Sequence, residues 1–236
     1  MSTGTQIGWC PVERVDALQQ FIDAHWSKGH VLATDAELLR WQYRNGEDAD
    51  TLSVLVATEG SEFLGILGLI PVSFGNEGDR HPGAMLAMWI TREDQRRRPL
   101  GLELLRSALA RDFAFVGVLG INATAARVFK AMRFSVCERV PRWARTFDRE
   151  RMASLLDLTG NDFAPLAKEA WIETANAAIR DDLPRGVRLA EWTAQTARGW
   201  EEAWRVRFAP RLRGVYRDAA YLRWRYVEHP RFGYTL

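Results

Sequence analysis

Between Val12 and Trp26 the apolar residues Val15, Leu18, Ile22 and Trp26, with Phe21 beside them, recur at three- and four-residue steps, the spacing of an amphipathic helix. Thr34 or Asp35 is placed to cap a second, shorter helix through Tyr43, which Asn45-Gly46 ends. Two strand-like runs follow, Thr51–Ala57 and Glu62–Phe74; the short glycine-bearing turn Thr58–Ser61 between them predicts a hairpin. A polar loop, Gly75–Gly83, leads to a further apolar run, Ala84–Thr91, short enough for a strand. After the basic stretch Arg92–Gly101, Leu102, Leu104, Leu105, Ala108 and Leu109 return to helical spacing. Phe113–Gly120 then reads as a buried strand, Asn122 to Met132 as a helix, and Phe134–Val140 and Arg142–Phe147 as two closing strands. With a first strand ahead of Val12 the order is β-α-α-β-β-β-α-β-α-β-β, a mixed α/β (α+β) domain over residues 1–147.

Residues 148–186 read as a polar helical connector. Beyond it, over 187–236, the pattern of the N-terminus returns: Val187–Ala190 as a strand, a helix carrying Trp200 and Trp204, then Leu222-Arg-Trp-Arg-Tyr226 beside the earlier Leu39-Arg-Trp-Gln-Tyr43. The same order of elements around the shared Leu-Arg-Trp-x-Tyr predicts a partial tandem repeat. At roughly 150 residues per domain the 236 residues hold about one and a half domains. The expectation is one whole domain and the start of a second, either part of a longer tandem protein or packed on the first domain or on a partner chain.

Composition adds exclusions. The chain is 47% hydrophobic and 26% charged, globular rather than disordered. A formal charge of +2 is too small for a general nucleic-acid or membrane-surface binder. Cys10 and Cys137 form no CxxC pair, so neither a disulfide framework nor a metal site is expected. No leader-like segment and no apolar run of membrane-spanning length occurs, so the expectation is a soluble cytoplasmic protein.

The segment Arg96-Arg-Arg-Pro-Leu-Gly101 carries the most chemistry. A glycine-bearing turn entering a helix aims unpaired N–H groups and the positive helix end at one point, which suits a phosphate or pyrophosphate, and arginines add charge-assisted bonds; a solvated helix start is the plain alternative. The segment resembles motif A of the GCN5-related N-acetyltransferases, Gln/Arg-x-x-Gly-x-Gly/Ala, with Arg96 and Gly101 in register. Asn122-Ala-Thr-Ala-Ala-Arg-Val-Phe-Lys-Ala-Met-Arg-Phe134 is similar to that family's Asn-x-x-Ala-x-x-x-Tyr-x-x-x-Gly-Phe segment, matching at Asn122, Ala125 and Phe134.

The resemblance implies an acyltransferase fold whose fourth strand splays from the fifth to admit coenzyme A. It implies that Arg96, Arg97, Arg98, Leu100 and Gly101 hold the pyrophosphate, that Leu86, Met88, Trp89 and Ile90 line the acyl site, and that Asn122 and Phe129 lie by the cofactor; core packing is the alternative for Met85, Met88 and Trp89. Three positions depart from the pattern. Pro99 replaces the first motif glycine and lacks an N–H, Phe129 stands where many members carry a proton-donating tyrosine, and Arg133 replaces a helix-ending glycine.

Amine acyl transfer also needs a base. The strand Ala84–Thr91 contains no carboxylate, which leaves His81 and Asp79 as catalytic candidates, with Glu93 and Asp94 behind them; His25 and His30 could face an acceptor groove, and His229 reads as part of a turn. The resulting expectation is an acyl-CoA-dependent N-acyltransferase, using acetyl-CoA or another acyl-CoA and no metal, acting on a small amine such as an amino sugar. The alternatives are a non-catalytic binding or scaffolding module of the same fold, or an acyltransferase taking its donor from acyl-carrier protein, which the arginine-rich rim Arg92–Arg98 would suit. An oligomer of this chain is left open.

Overall fold

The structure, a computed structural model, describes residues 4–137 and 191–234. The expected connector 148–186 and the strands at Arg142–Phe147 and Val187–Ala190 lie outside the described residues. Two compact units are present, one of residues 1–121 with 190–236 and the other of residues 122–189.

The first unit is built on a six-stranded mixed sheet: β1 (Gln6–Pro11), β2 (Thr51–Glu59), β3 (Glu62–Asn76), β4 (Asp79–Thr91), β5 (Phe115–Val118) and the short β6 (Arg213–Val215). The order is β1-β2-β3-β4-β5, with β6 paired to the far end of β3. All pairs are antiparallel except β4 with β5, which is parallel. One face carries α1 (Val15–His25), the single turn α2 (Val31–Thr34) and α3 (Ala36–Gln42). Leu18, Phe21, Ile22 and Leu39 from these helices, with Tyr43 just after α3, pack with Val54, Val56, Ile66, Met88 and Ile90 of the sheet in one buried cluster. Leu55, Leu67 and Leu69 occupy the alternate positions and face the other side, where α4 (Leu100–Leu109) buries Leu100, Leu104, Leu105 and Ala108 completely. Truncating one of these leucines to alanine removes contacts worth about 2–5 kcal/mol.

Most predicted elements are present, and the differences are instructive. The segment Gly75–Gly83 is not a loop. Strands β3 and β4 continue through it to a two-residue turn, Glu77-Gly78, with both residues at positive φ (53° and 105°), as a tight hairpin turn of the right twist demands. The strand expected from Phe134 is absent over 134–137.

Residues 191–234 belong to the same compact unit as the sheet. Thr193 and Thr196 form a reciprocal cap on α6 (Ala194–Ala203), which runs into a wider turn over Trp204–Phe208. Then β6 extends the ladder of β3 at Phe74–Asn76, and Asp218 caps α7 (Ala219–Leu222), which opens into a second wide turn over Arg223–Val227.

In the second unit α5 (Ala123–Ala131) is described. Its end is a Schellman closure: the Phe134 N–H donates to the Phe129 carbonyl and the Arg133 N–H to the Lys130 carbonyl, each at 3.0 Å. Arg133 holds φ 65° there, the left-handed conformation for which glycine is the unstrained residue.

Candidate functional site

Strand β4 organises the site. Three residues of β3, from Ile66 to Gly68, face four of β4, from Ala87 to Ile90, so β4 holds one extra residue and bulges. Met88 in the bulge takes φ 50°, which costs a non-glycine residue roughly 1–2 kcal/mol. A bulge bends its strand, and the parallel pairing of β4 with β5 stops at Leu86–Val118, two residues short of it. Val118 is also the last residue of β5, so the last five residues of β4 have no β5 partner.

Within that segment the Trp89 indole N–H donates to the Gly101 carbonyl at 3.0 Å. A Cβ on Gly101 would stand 3.3 Å from the same nitrogen, so the glycine lets the first turn of α4 close on β4. The intervening turn is tied to itself. Arg92 grips Asp94 through two bonds of 3.0 and 2.9 Å, Arg96 bonds Glu93 at 3.0 Å, and Arg98 reaches Gln95 at 2.9 Å and Thr5 at 2.6 Å. Arg92 beside it holds the Asp94 carboxyl below its usual range. Glu93 and Asp94, considered as bases, are thus engaged within the turn. Pro99 occupies the cap position of α4 and provides no side-chain cap, so the first N–H groups of the helix have no such partner and its positive end meets the basic turn, the arrangement that attracts an anion.

The other expected residues have different surroundings. Leu100 is wholly buried, and Leu86, Met88 and Ile90 are buried too, Met88 and Ile90 in the core under α1–α3. His81 and Asp79 sit on β4 opposite Phe74 and Asn76, at the hairpin tip; seven residues of strand, about 23 Å at 3.3 Å each, separate His81 from Met88. Within the second unit Asn122 accepts the Ala125 N–H at 2.8 Å and so caps α5, while Phe129 is 1% exposed and meets Phe134 edge-on. His30 caps α2 by accepting the Leu32 N–H, His25 packs on Phe21, and His229 lies 4.4 Å from the Trp41 ring, where burial, then Arg225, lowers its pKa. Among the described residues no three His, Cys, Asp or Glu side chains gather as a metal cluster, and no helix is long and apolar enough to cross a membrane.

One feature of the site region escaped the sequence. A cavity of about 350 Å³ lies where β2 and β3 part, lined among others by Arg44, Ser53, Ser73, Arg80, Tyr216 and Trp224. Arg80 lies between Asp79 and His81 in the sequence, yet it alone of the three lines the cavity. Its partner Asp218 occupies the place in the second Leu-Arg-Trp-x-Tyr segment that Asp35 occupies in the first, four residues ahead of the leucine, and that spacing was the available signal.

No family model matches the chain, and no curated protein does. Among solved structures, the aminoglycoside N-acetyltransferase AAC(6')-Iy in complex with CoA is similar at 17% identity and TM-score 0.46, over 61% of this chain and 97% of that one. A GCN5-related N-acetyltransferase from Ralstonia eutropha is similar at 14% identity and TM-score 0.45, over 59% and 97%. An acetyltransferase from Trypanosoma brucei is similar at 9% identity and TM-score 0.43, over 60% and 99%.

Proposed function

We propose that the chain is an acyl-CoA-dependent N-acyltransferase acting on a small amine, an amino sugar being the acceptor class expected from the sequence. The observation that carries this is the stretch of β4 beyond Leu86, which bulges at Met88 and has no β5 partner, with the arginine turn and the N-terminus of α4 following it. Arg96, whose side chain is 70% exposed, Arg97 and Arg98 would hold the pyrophosphate together with the first N–H groups of α4. Beyond Leu86 the edge of β4 turned away from β3 has no β5 partner and would offer donors and acceptors to an extended ligand. When bound, the acyl-CoA supplies the activated thioester. The protein contributes orientation and backbone N–H polarisation of the acyl carbonyl.

Isothermal titration with acetyl-CoA and with coenzyme A tests the proposal. Binding in the micromolar range, weakened about tenfold by Arg96→Ala, is expected; no binding at about millimolar concentration overturns it. A second reading, a binding module without turnover, is favoured by Phe129, which has no hydroxyl to donate a proton. Coenzyme A binding without turnover over a panel of amines, with either acyl-CoA or acyl-carrier protein as donor, would select that reading.

A further inference from the structure

The cavity between β2 and β3 has a specific construction. The ladder of these strands ends at Val54–Gly68, where the Tyr43 ring packs so close to Gly68 that an added Cβ would lie 2.6 Å from it. Arg44 to Glu47 then line the β2 side, and β3 regains a neighbour on that edge only at Ser73, whose carbonyl accepts the Tyr216 N–H, and at Phe74, opposite Val215 of β6. Pro71, which has no N–H to leave unpaired, lies in the open interval. The volume of about 350 Å³ falls at the lower end of the roughly 300–1,000 Å³ of small-ligand pockets.

Two guanidinium groups lie on aromatic faces at this cavity. Arg44 is 5.3 Å from the Trp224 ring centroid and Arg80 is 5.2 Å from that of Tyr216. A guanidinium held over a ring keeps its N–H edge free for planar, two-point bonding to a carboxylate. Arg80 is further fixed by a 2.8 Å bond from Nη1 to Asp218 Oδ2. Asp218 is 4% exposed on its side chain, and its other oxygen accepts the Tyr221 N–H at 2.8 Å, so both its oxygens are engaged. Arg80 is 52% exposed and retains further N–H groups.

The remaining lining decides the class of ligand. Trp9, Phe113 and Tyr221 add aromatic surface, which suits a flat apolar body. Glu47 and Asp218 balance the two arginines in formal charge, which favours a ligand of one negative charge over a phosphate dianion. A cation is disfavoured because Asp218 is already engaged and only the exposed Glu47 is left to meet it.

We propose that this cavity binds a small aromatic monocarboxylate, its ring against the aromatic lining and its carboxylate on Arg44 and Arg80. The site shares none of the residues assigned to the acyl donor and does not depend on acyl transfer.

Saturation-transfer NMR and calorimetry on the full chain, with benzoate and phenylacetate against benzyl alcohol, benzylamine and inorganic phosphate, test the proposal. Carboxylate binding at least about tenfold tighter than the alcohol, weakened about tenfold or more by Arg44→Gln and removed by the cavity-filling Ser73→Phe, is the expected result. Arg44 is exposed, so Arg44→Gln keeps the test sound if Ser73→Phe unfolds the chain. Equal binding of alcohol and carboxylate, preference for benzylamine or phosphate, no binding at about 10 mM, or binding indifferent to Arg44→Gln overturns it.

Discussion

Trp41 and Trp224 stack on one another, their ring centroids 5.2 Å apart and their planes inclined by 26°. They are the central residues of the two Leu-Arg-Trp-x-Tyr segments, so the first and second copies of the motif meet through their own equivalent side chains. The match extends upstream: Asp35-Ala36 stands to Leu39 as Asp218-Ala219 stands to Leu222. Both aspartates cap the helix that follows, accepting from Leu38 and Tyr221. Arg225 lies over Trp41 and Arg44 over Trp224, each cation supplied by the other copy. The stack should therefore couple the two segments energetically. Trp41→Ala and Trp224→Ala should each cost about 3–5 kcal/mol, and the double variant less than the sum by about 1 kcal/mol. Urea unfolding of the four proteins measures this, and strictly additive losses would show that the rings do not act together.

A second tie between the copies titrates. Arg231 donates to both oxygens of Asp35, and this bond, then that from the Leu38 amide, lowers the Asp35 carboxyl from 3.8 to about 2. The unfolded chain takes up this proton near pH 4 while the folded chain holds it off until about 2. The pair thus contributes stability that is complete above about pH 4 and is lost as the pH falls from there through 2. Arg231→Gln should flatten the fall of the urea midpoint between pH 4 and 2. Parallel pH profiles for wild type and variant would contradict the assignment.

The legibility of the chain in its sequence followed the range of the interactions concerned. The helices at Val15–His25 and Leu100–Leu109 and the hairpin of β2 and β3 were readable because their periods are local. The outer half of the β3–β4 hairpin was not. Its residues 75–79, Gly-Asn-Glu-Gly-Asp, are polar, and its turn places a glutamate rather than asparagine or aspartate before the glycine. Long-range bonds hold it instead: the Glu77 N–H to the Leu212 carbonyl, and Arg213 to the Glu77 carboxylate. The basic turn was found because three successive arginines precede a glycine and a helical period, whereas the Met88 bulge has no sequence mark, its extra residue being an ordinary apolar one. The cavity is lined from β1, β2, β3, β4, the residues after α3, the residues before β5 and the C-terminal segment, and beyond the shared aspartate spacing no local pattern announces such a meeting.

Gly68 shows how tightly the wedge at the end of the β2–β3 ladder is filled. A Cβ there would stand 2.6 Å from Tyr43 Cε1 and 3.0 Å from the Ala87 carbonyl oxygen, and Tyr43 is itself fully buried. Neither neighbour has room to withdraw, since one is backbone and the other a packed ring. Gly68→Ala should destabilise by about 1–3 kcal/mol through overpacking, despite the gain in backbone entropy that such a change brings elsewhere. A thermal midpoint equal to or above that of the wild type would show that Tyr43 can move.

The two cysteines should differ sharply in reactivity. Cys10 lies on β1 with no exposed surface, and burial raises its thiol to about 12, Arg14 opposing this only in part; Cys137 is exposed. The thiolate is the reacting form and needs access to reagent, and Cys10 lacks both conditions in the folded chain. In a disulfide-exchange assay at pH 8 the native protein should release one equivalent of chromophore promptly, from Cys137, and the second only as the chain unfolds. The slow phase therefore reports global opening, since Cys10 joins the core of α1 and β2, and the logarithm of its rate should rise in Gly68→Ala in proportion to the stability lost. Prompt labelling of both thiols in the native protein would place Cys10 outside the core.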